Sequence, residues 1–141
     1  MRKMFCLAVA LVLLLPHLAA AQEVQAYIDK GIENSQKGQY DQALQEFGQA
    51  LKLKPGDAAT LTYRGVVYYA KGQSDQAIKD FDQAIKSDPK FGRAYYQRGM
   101  VYETQGKYSQ ALEDLSQAKS LGYKVDMDFV EMIKRKMAGE K

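Results

Sequence analysis

A period of 34 residues runs through this sequence and constrains its fold more than any other feature. In rows of that length Gly31, Gly65 and Gly99 align, and Phe47 and Phe81 align with Leu115. Three further columns repeat: Gly38, Gly72 and Gly106; Ala43, Ala77 and Ala111; Ala50, Ala84 and Ala118. Self-similarity at such a period is the signature of a solenoid, in which each repeat stacks on its neighbours. We therefore expect three repeats, over about residues 24–57, 58–91 and 92–125.

Each row contains two amphipathic stretches, and the second is the clearer one. Its apolar residues follow the spacing of a single helical face, as in Ala43, Leu44, Phe47, Ala50 and Leu51. The second row repeats this pattern, whereas the third has Lys119 at the place of Leu51 and Ile85. We expect a helix pair in each repeat, with the outer end of the third pair more exposed.

The glycines have two different roles. Those at 38, 72 and 106 follow the first helix of each pair, where a left-handed conformation ends a helix at little cost. Those at 31, 65 and 99 lie inside helices, where glycine costs up to ~1 kcal/mol relative to alanine. The expected compensation is close approach of the paired helix at its small residues, Ala43, Ala77 and Ala111. Pro55 and Pro89 then separate the repeats, because neither can extend the preceding helix.

These features resemble the tetratricopeptide repeat family over about residues 24–125. The motif is strongest in the second row, at Leu61, Gly65, Tyr68, Gly72, Ala77, Phe81, Ala84 and Pro89. The resemblance implies an all-α fold, an α-α superhelix of three antiparallel helix pairs. Residues 126–138 predict one further helix, with Phe129, Ile133 and Met137 at apolar spacing, and the family architecture makes it a capping helix. Residues 22–141 then form one repeat domain.

The first 21 residues have the pattern of a secretory signal peptide. Arg2 and Lys3 supply a basic start, residues 5–15 an apolar run, and the alanines at 19–21 a cleavage site. We expect cleavage before Gln22 and an exported protein, periplasmic or secreted, that meets the membrane only through this segment. The alternative is an uncleaved anchor, although Pro16 and His17 interrupt the apolar run.

Composition argues against several functions. Without the signal peptide the chain has 18 Lys and Arg against 17 Asp and Glu, a balance that does not favour nucleic acid. The same cut removes the only Cys and the only His, so no His- or Cys-dependent catalytic arrangement and no usual zinc site is possible. We expect no enzyme, no metal and no cofactor. Most carboxylates are expected on solvated helix faces, among them Glu46, Asp80, Asp82, Glu113 and Asp114.

The resemblance places the working surface on the concave side, which the family lines mostly with the first helix of each pair. The residues predicted to form a partner-binding groove there are Ile28, Ile32, Tyr63, Tyr69, Arg93, Tyr96 and Met100. Tyr and Arg are typical energetic anchors of protein interfaces, although each aromatic residue is equally suited to packing.

One known use of this groove in the family is clamping a partner's C-terminal carboxylate with Lys, Asn and Arg side chains. The corresponding places here are Ile28, Ile32, Tyr63, Arg93 and Gln97, and only Arg93 fits. We therefore expect an apolar partner segment instead. The predicted function is a protein-protein interaction module or scaffold of the bacterial cell envelope. The alternative is a structural protein whose repeats associate with copies of themselves as a homo-oligomer.

Overall fold

Seven helices make up the part of the chain that the computed structural model describes, the backbone of residues 2–139 and the side chains of residues 19–139. Their bounds are α1 Arg2–Gln36, α2 Tyr40–Leu53, α3 Ala58–Ala70, α4 Ser74–Ser87, α5 Gly92–Thr104, α6 Tyr108–Ser120 and α7 Met127–Met137. Helices α1 and α2, α3 and α4, and α5 and α6 pack as antiparallel pairs, and α7 packs on α6. This arrangement confirms the predicted all-α superhelix with a final single helix.

The predicted signal peptide lies mostly outside the described side chains, which begin at residue 19. Cleavage and export therefore stay predictions. Among the described residues, no helix has both the length and the apolar content needed to cross a bilayer.

Glycine ends the first helix of every pair in the predicted conformation. Gly38, Gly72 and Gly106 have φ angles of 74°, 75° and 71°. This left-handed turn lets the amide of the next residue bond back across the helix end, as Gln73 N donates to Tyr68 O at 2.9 Å. Each turn reverses the chain within a few residues, so the two helices of a repeat pack directly on each other.

The core of each repeat forms where a helical glycine meets the second helix. Phe47, Phe81 and Leu115 are at most 1% exposed, and the alanine columns of the second helices are buried with them. A Cβ at Gly31 would lie 2.6 Å from Phe47 Cε1, and a Cβ at Gly65 would lie 2.5 Å from Phe81 Cε1. The predicted close approach is therefore present, but its partner in the first two repeats is the phenyl ring and not the alanine.

In the third repeat the helical glycine also lies close to the facing helix, but it meets different atoms. A Cβ at Gly99 would lie 3.2 Å from the backbone oxygen of Ala111 and 3.4 Å from Leu115 Cγ. Leucine lacks the flat ring that covers the glycine in the other repeats, so here the backbone of the facing helix is among the nearest atoms. The expectation of contact at an alanine holds only in this repeat.

Two of the carboxylates expected in solvent are buried instead. Asp80 and Asp114 are 5% and 4% exposed. Asp80 accepts two hydrogen bonds from Arg64, each of 2.7 Å, and Asp114 accepts bonds of 2.8 and 2.7 Å from Arg98. Because an unpaired carboxylate is costly to bury, each arginine makes it possible for its aspartate to lie between the helices.

Arg98 also joins neighbouring repeats. Its Nη1 donates to Asp82 of α4 at 2.6 Å, while the rest of the guanidinium pairs with Asp114 of α6. Hydrogen bonding to Asp114 raises the pKa of Arg98, and the bond to Asp82 adds to it. Burial raises the pKa of Asp114, and the arginine opposes this only in part. The expected solvated role of these carboxylates was wrong for Asp80 and Asp114.

Helix α7 covers the end of the third repeat. Asp126 accepts a hydrogen bond from Asp128 N at its start, and Ile133 is fully buried against Ala111 and Leu115. Lys136 Nζ donates to Glu103 Oε1 at 2.6 Å and so ties α7 to α5. Of the three predicted apolar residues, Phe129 is half-buried and Met137 remains 56% exposed, so α7 covers this end incompletely.

Candidate functional site

The first helices of the three pairs lie side by side. Helix α3 contacts both α1 and α5 along one face of the superhelix. We call this face the groove. All seven residues predicted to bind a partner belong to these three helices.

A pocket of about 510 Å³ opens at the N-terminal end of the groove, between α1 and α3. Three of the predicted residues, Ile28, Ile32 and Tyr63, meet in it. Ile28 is 9% exposed and forms the floor, while Ile32 and Tyr63 are half-buried. We call this the end pocket; its full lining is Ala21, Val24, Gln25, Ile28, Ile32, Lys54, Asp57, Ala59 and Tyr63.

The rim of the end pocket is polar. Gln25 Nε2 donates to Asp29 Oδ1 at 2.8 Å, and Lys54 Nζ donates to Asp57 Oδ1 at 2.6 Å. Asp57 also caps α3 by accepting from Thr60 N at 2.9 Å. Burial acts to raise the pKa of Asp57, but the hydrogen bonds from Lys54 and Thr60 outweigh it and hold the pKa below its usual value. The pocket thus has an apolar floor and a charged edge.

Tyr63 makes two ring contacts beside the end pocket, one with Phe47 and one with Arg93. Its ring stacks on Phe47 with centroids 5.9 Å apart and planes 13° apart. The Arg93 guanidinium carbon also lies over this ring, 4.7 Å from its centroid. Such cation-π contact holds an arginine in place. Within residues 19–139 Arg93 forms no ion pair with a carboxylate.

The remaining predicted residues lie outside the end pocket. Tyr69 packs on the cluster around Phe81, and Tyr96 packs around Leu115 and lies 5.0 Å from the ring of Tyr123. Met100 is half-buried on α5. The structure therefore brings together Ile28, Ile32, Tyr63 and Arg93, and gives Tyr69 and Tyr96 packing contacts. The assignment of all seven residues as a binding site stays a prediction.

Several residues of the end pocket were not predicted from the sequence. Lys54 and Asp57 lie in the turn between α2 and α3, where a helical pattern carries no information, and Ala21 lies in the predicted signal peptide. Val24 lies at the start of the first repeat, before the first predicted groove residue. Next to Tyr63, Thr62 is fully buried, and its Oγ1 donates to Ala58 O at 2.7 Å.

The end pocket can bind a partner by burying apolar groups and by charge. Within the described residues, no three His, Cys, Asp or Glu side chains converge as ligands of a metal ion would. The end pocket contains one carboxylate, Asp57, and hydrogen bonds already engage it with Lys54 and Thr60. The end pocket therefore offers a partner an apolar surface that is surrounded by hydrogen-bonding groups.

Both family sequence models and solved structures match this chain. A model described as TPR repeat matches residues 35–72 and 65–106, and one described as tetratricopeptide repeat matches residues 92–121. No curated protein sequence matches the chain significantly.

Solved structures match over most of the chain. The Sgt2 TPR domain from Aspergillus fumigatus is 27% identical, with a TM-score of 0.76 over 82% of this chain and 80% of that one. The first TPR of Spaghetti (RPAP3), bound to the HSP90 peptide SRMEEVD, is 20% identical, with a TM-score of 0.78 over 83% and 94%. The TPR2B domain of yeast Sti1, in a pHsp70 complex, is 22% identical, with a TM-score of 0.74 over 85% and 99%. The periodicity, the helix pairs and these matches agree, and the chain belongs to the tetratricopeptide repeat family.

Proposed function

We propose that this protein is an interaction module of the bacterial envelope that binds a segment of a partner protein in its groove. The observation that carries the proposal is the end pocket, an apolar concavity of about 510 Å³ on the face formed by the first helices. Burying an apolar side chain in such a pocket supplies the binding energy, and the surrounding polar groups supply orientation.

The structural neighbours support this type of function. The RPAP3 domain was solved with an HSP90 peptide and the Sti1 domain in a pHsp70 complex, so the shared fold is suited to holding a protein segment. The mode of binding proposed here differs from a carboxylate clamp. Ile28, Ile32 and Tyr63 make the pocket apolar, and Arg93, which lies over the Tyr63 ring, forms no ion pair within residues 19–139. An apolar side chain of the partner enters the end pocket, with an acidic or polar group beside it for Arg93.

The proposal is tested by filling the end pocket without removing any packing. Ala59 is half-buried and lines the pocket, so Ala59→Arg places a long charged side chain in it. Ala26 is an exposed alanine on α1 outside the lining, and Ala26→Arg is the matched control. Immobilised wild-type and variant proteins are incubated with native envelope extract, and captured proteins are identified by mass spectrometry.

The expected result is a partner captured by the wild-type protein and by Ala26→Arg but not by Ala59→Arg. Circular dichroism verifies that both variants keep their helical content. Recovery of the same proteins with all three baits would contradict the groove assignment. A stable homo-oligomer of the purified chain, broken by Ala59→Arg, would instead favour self-association.

Export is a separate part of the proposal and rests on the tripartite pattern of residues 1–21. The full chain is expressed in a bacterium, and the intact mass of the protein in the periplasmic fraction is measured. We expect the mass of a chain that begins at Gln22, which keeps every lining residue of the end pocket except Ala21. Ala19→Arg combined with Ala21→Arg removes the small residues of the cleavage site and should leave the signal attached. Full-length protein confined to the cytoplasm would refute this part alone.

A further inference from the structure

A second concave site lies at the other end of the superhelix, between α6 and α7. It has a volume of about 230 Å³ and is separate from the groove. Its apolar lining is Leu112, Leu115, Val125, Met127 and Val130. We call it the cap groove.

The cap groove exposes apolar surface between α6 and α7. Leu115 is buried, but Leu112, Val125 and Val130 are only half-buried, and Met127 is 44% exposed. In the first two repeats the next helix pair packs over the end of the preceding one, whereas within residues 19–139 the single helix α7 packs on α6. Three of the four exposed large hydrophobic residues within the described side chains lie on α7, namely Met127, Met132 and Met137. Of these, Met127 lines the cap groove, and the flexible side chain of methionine adapts readily to a partner.

The charged residues of the cap groove are both lysines. Lys119 on α6 and Lys134 on α7 belong to the lining, which contains no Asp or Glu. Lys119 replaces the apolar Leu51 and Ile85 of the preceding repeats, and its Nζ lies 3.4 Å from Met127 Sδ. Lys134 pairs with Glu131 at 2.7 Å, but both side chains are more than half exposed, so that pair is weak and exchangeable. Two cations from different helices therefore flank an open apolar floor.

We propose that the cap groove docks an acidic segment of a partner protein through one large apolar side chain. The apolar floor takes that side chain, and carboxylates on either side of it pair with Lys119 and Lys134. A membrane surface fits less well. The outward side of α7 carries Asp128 and Glu131 beside Arg135, and all three are exposed, so α7 lacks the uniformly basic polar face of an interfacial helix.

The test uses two short peptides with the same apolar centre, Glu-Glu-Leu-Phe-Glu-Glu and Lys-Lys-Leu-Phe-Lys-Lys, both acetylated and amidated. Each is titrated into the isotope-labelled protein, and backbone amide signals are monitored by NMR. The glutamate peptide should shift the signals of Leu112, Val125 and Val130, and the lysine peptide should not. Lys119→Leu, which restores the residue type of Leu51, should weaken the preference for the glutamate peptide by about two- to fivefold.

Charge reversal gives a second measurement. Lys119→Glu combined with Lys134→Glu should reverse the preference between the peptides. Lys124→Glu, at an exposed lysine outside the lining, should leave it unchanged. Equal binding of both peptides, absence of shifts with either, or shifts confined to Ile28, Ile32 and Tyr63 would each overturn the proposal. So would recruitment to anionic phosphatidylglycerol vesicles that the double variant abolishes, because the surface would then bind lipid.

Discussion

Replacing Gly65 by alanine should destabilise the protein, although alanine is the better helix former. The new Cβ would lie 2.5 Å from Phe81 Cε1, where ordinary contact begins at 3.4 Å, and two more ring carbons lie within 3.0 Å. The ring is fully buried and cannot move aside freely. Overpacking of this kind costs about 1–3 kcal/mol, and the gain in helix propensity offsets about 1 kcal/mol of it. We expect the free energy of unfolding to fall by up to about 2 kcal/mol.

Gly48 provides a matched control within the same protein. It lies inside α2, and a Cβ there would meet no atom within 4 Å. Gly48→Ala should therefore raise the free energy of unfolding by about 0.5–1 kcal/mol. Urea titrations monitored by circular dichroism measure both values, and the melting temperatures should move in opposite directions, by roughly 4 °C for each kcal/mol.

A double variant identifies the cause of the loss. The third repeat pairs Gly99 with Leu115, so Phe81→Leu gives the second repeat the same combination. In that background Gly65→Ala should cost clearly less than in the wild type, because the ring that it strikes is gone. If Gly65→Ala stabilises the protein as Gly48→Ala does, or costs the same with and without the ring, the argument from close packing is refuted.

Three further predictions concern the ion pairs and the groove. Asp80→Ala should lower the free energy of unfolding by about 2 kcal/mol in urea titrations, because it leaves the half-buried Arg64 unpaired, whereas the exposed Asp75→Ala should change it by less than about 0.5 kcal/mol. Asp57 has a lowered pKa in the folded protein, so its ionisation stabilises the fold above about pH 4 and this contribution is lost at lower pH. Asp57→Asn should then be destabilising at pH 7 and progressively less so below pH 4 in unfolding curves; a constant difference would count against it. Partner peptides with free and amidated C-termini should bind equally well by isothermal titration calorimetry, and a large loss on amidation would show a carboxylate clamp.

The architecture was predictable because the period and the apolar spacing are local properties. Gly72 and Gly106 marked the turns, and Phe81 marked the buried side of its helix, without any knowledge of the partner helix. Which atoms meet across the pair was not predictable in this way. The glycine at 65 was expected to face an alanine but faces Phe81, because ring size and orientation decide that contact.

The buried ion pairs do leave a signal in the sequence. Arg64 and Asp80 are 16 residues apart, and so are Arg98 and Asp114 in the next repeat. An opposite-charge pair repeated at a constant separation indicates contact between the helices of a repeat. Composition alone places carboxylates in solvent, because it carries no information about a buried counter-charge.

The candidate site was predicted only in part, for two physical reasons. The helical spacing of side chains identifies Ile28, Ile32 and Tyr63, which share one face. It cannot identify Lys54 and Asp57, because they lie in the turn between two helices. It also cannot show that Tyr96 has an aromatic neighbour, Tyr123, beyond the end of the next helix. Tyr63 and Tyr96 therefore differ in role, because Arg93 lies over the ring of Tyr63 whereas Tyr123 packs beside Tyr96.

The contacts of Tyr63 with Phe47 and Arg93 join one side chain from each of the three repeats. Solenoids change curvature by small rotations between adjacent repeats. Contacts that cross both junctions oppose these rotations. A substitution at Tyr63 therefore removes contacts between repeats as well as part of the end pocket.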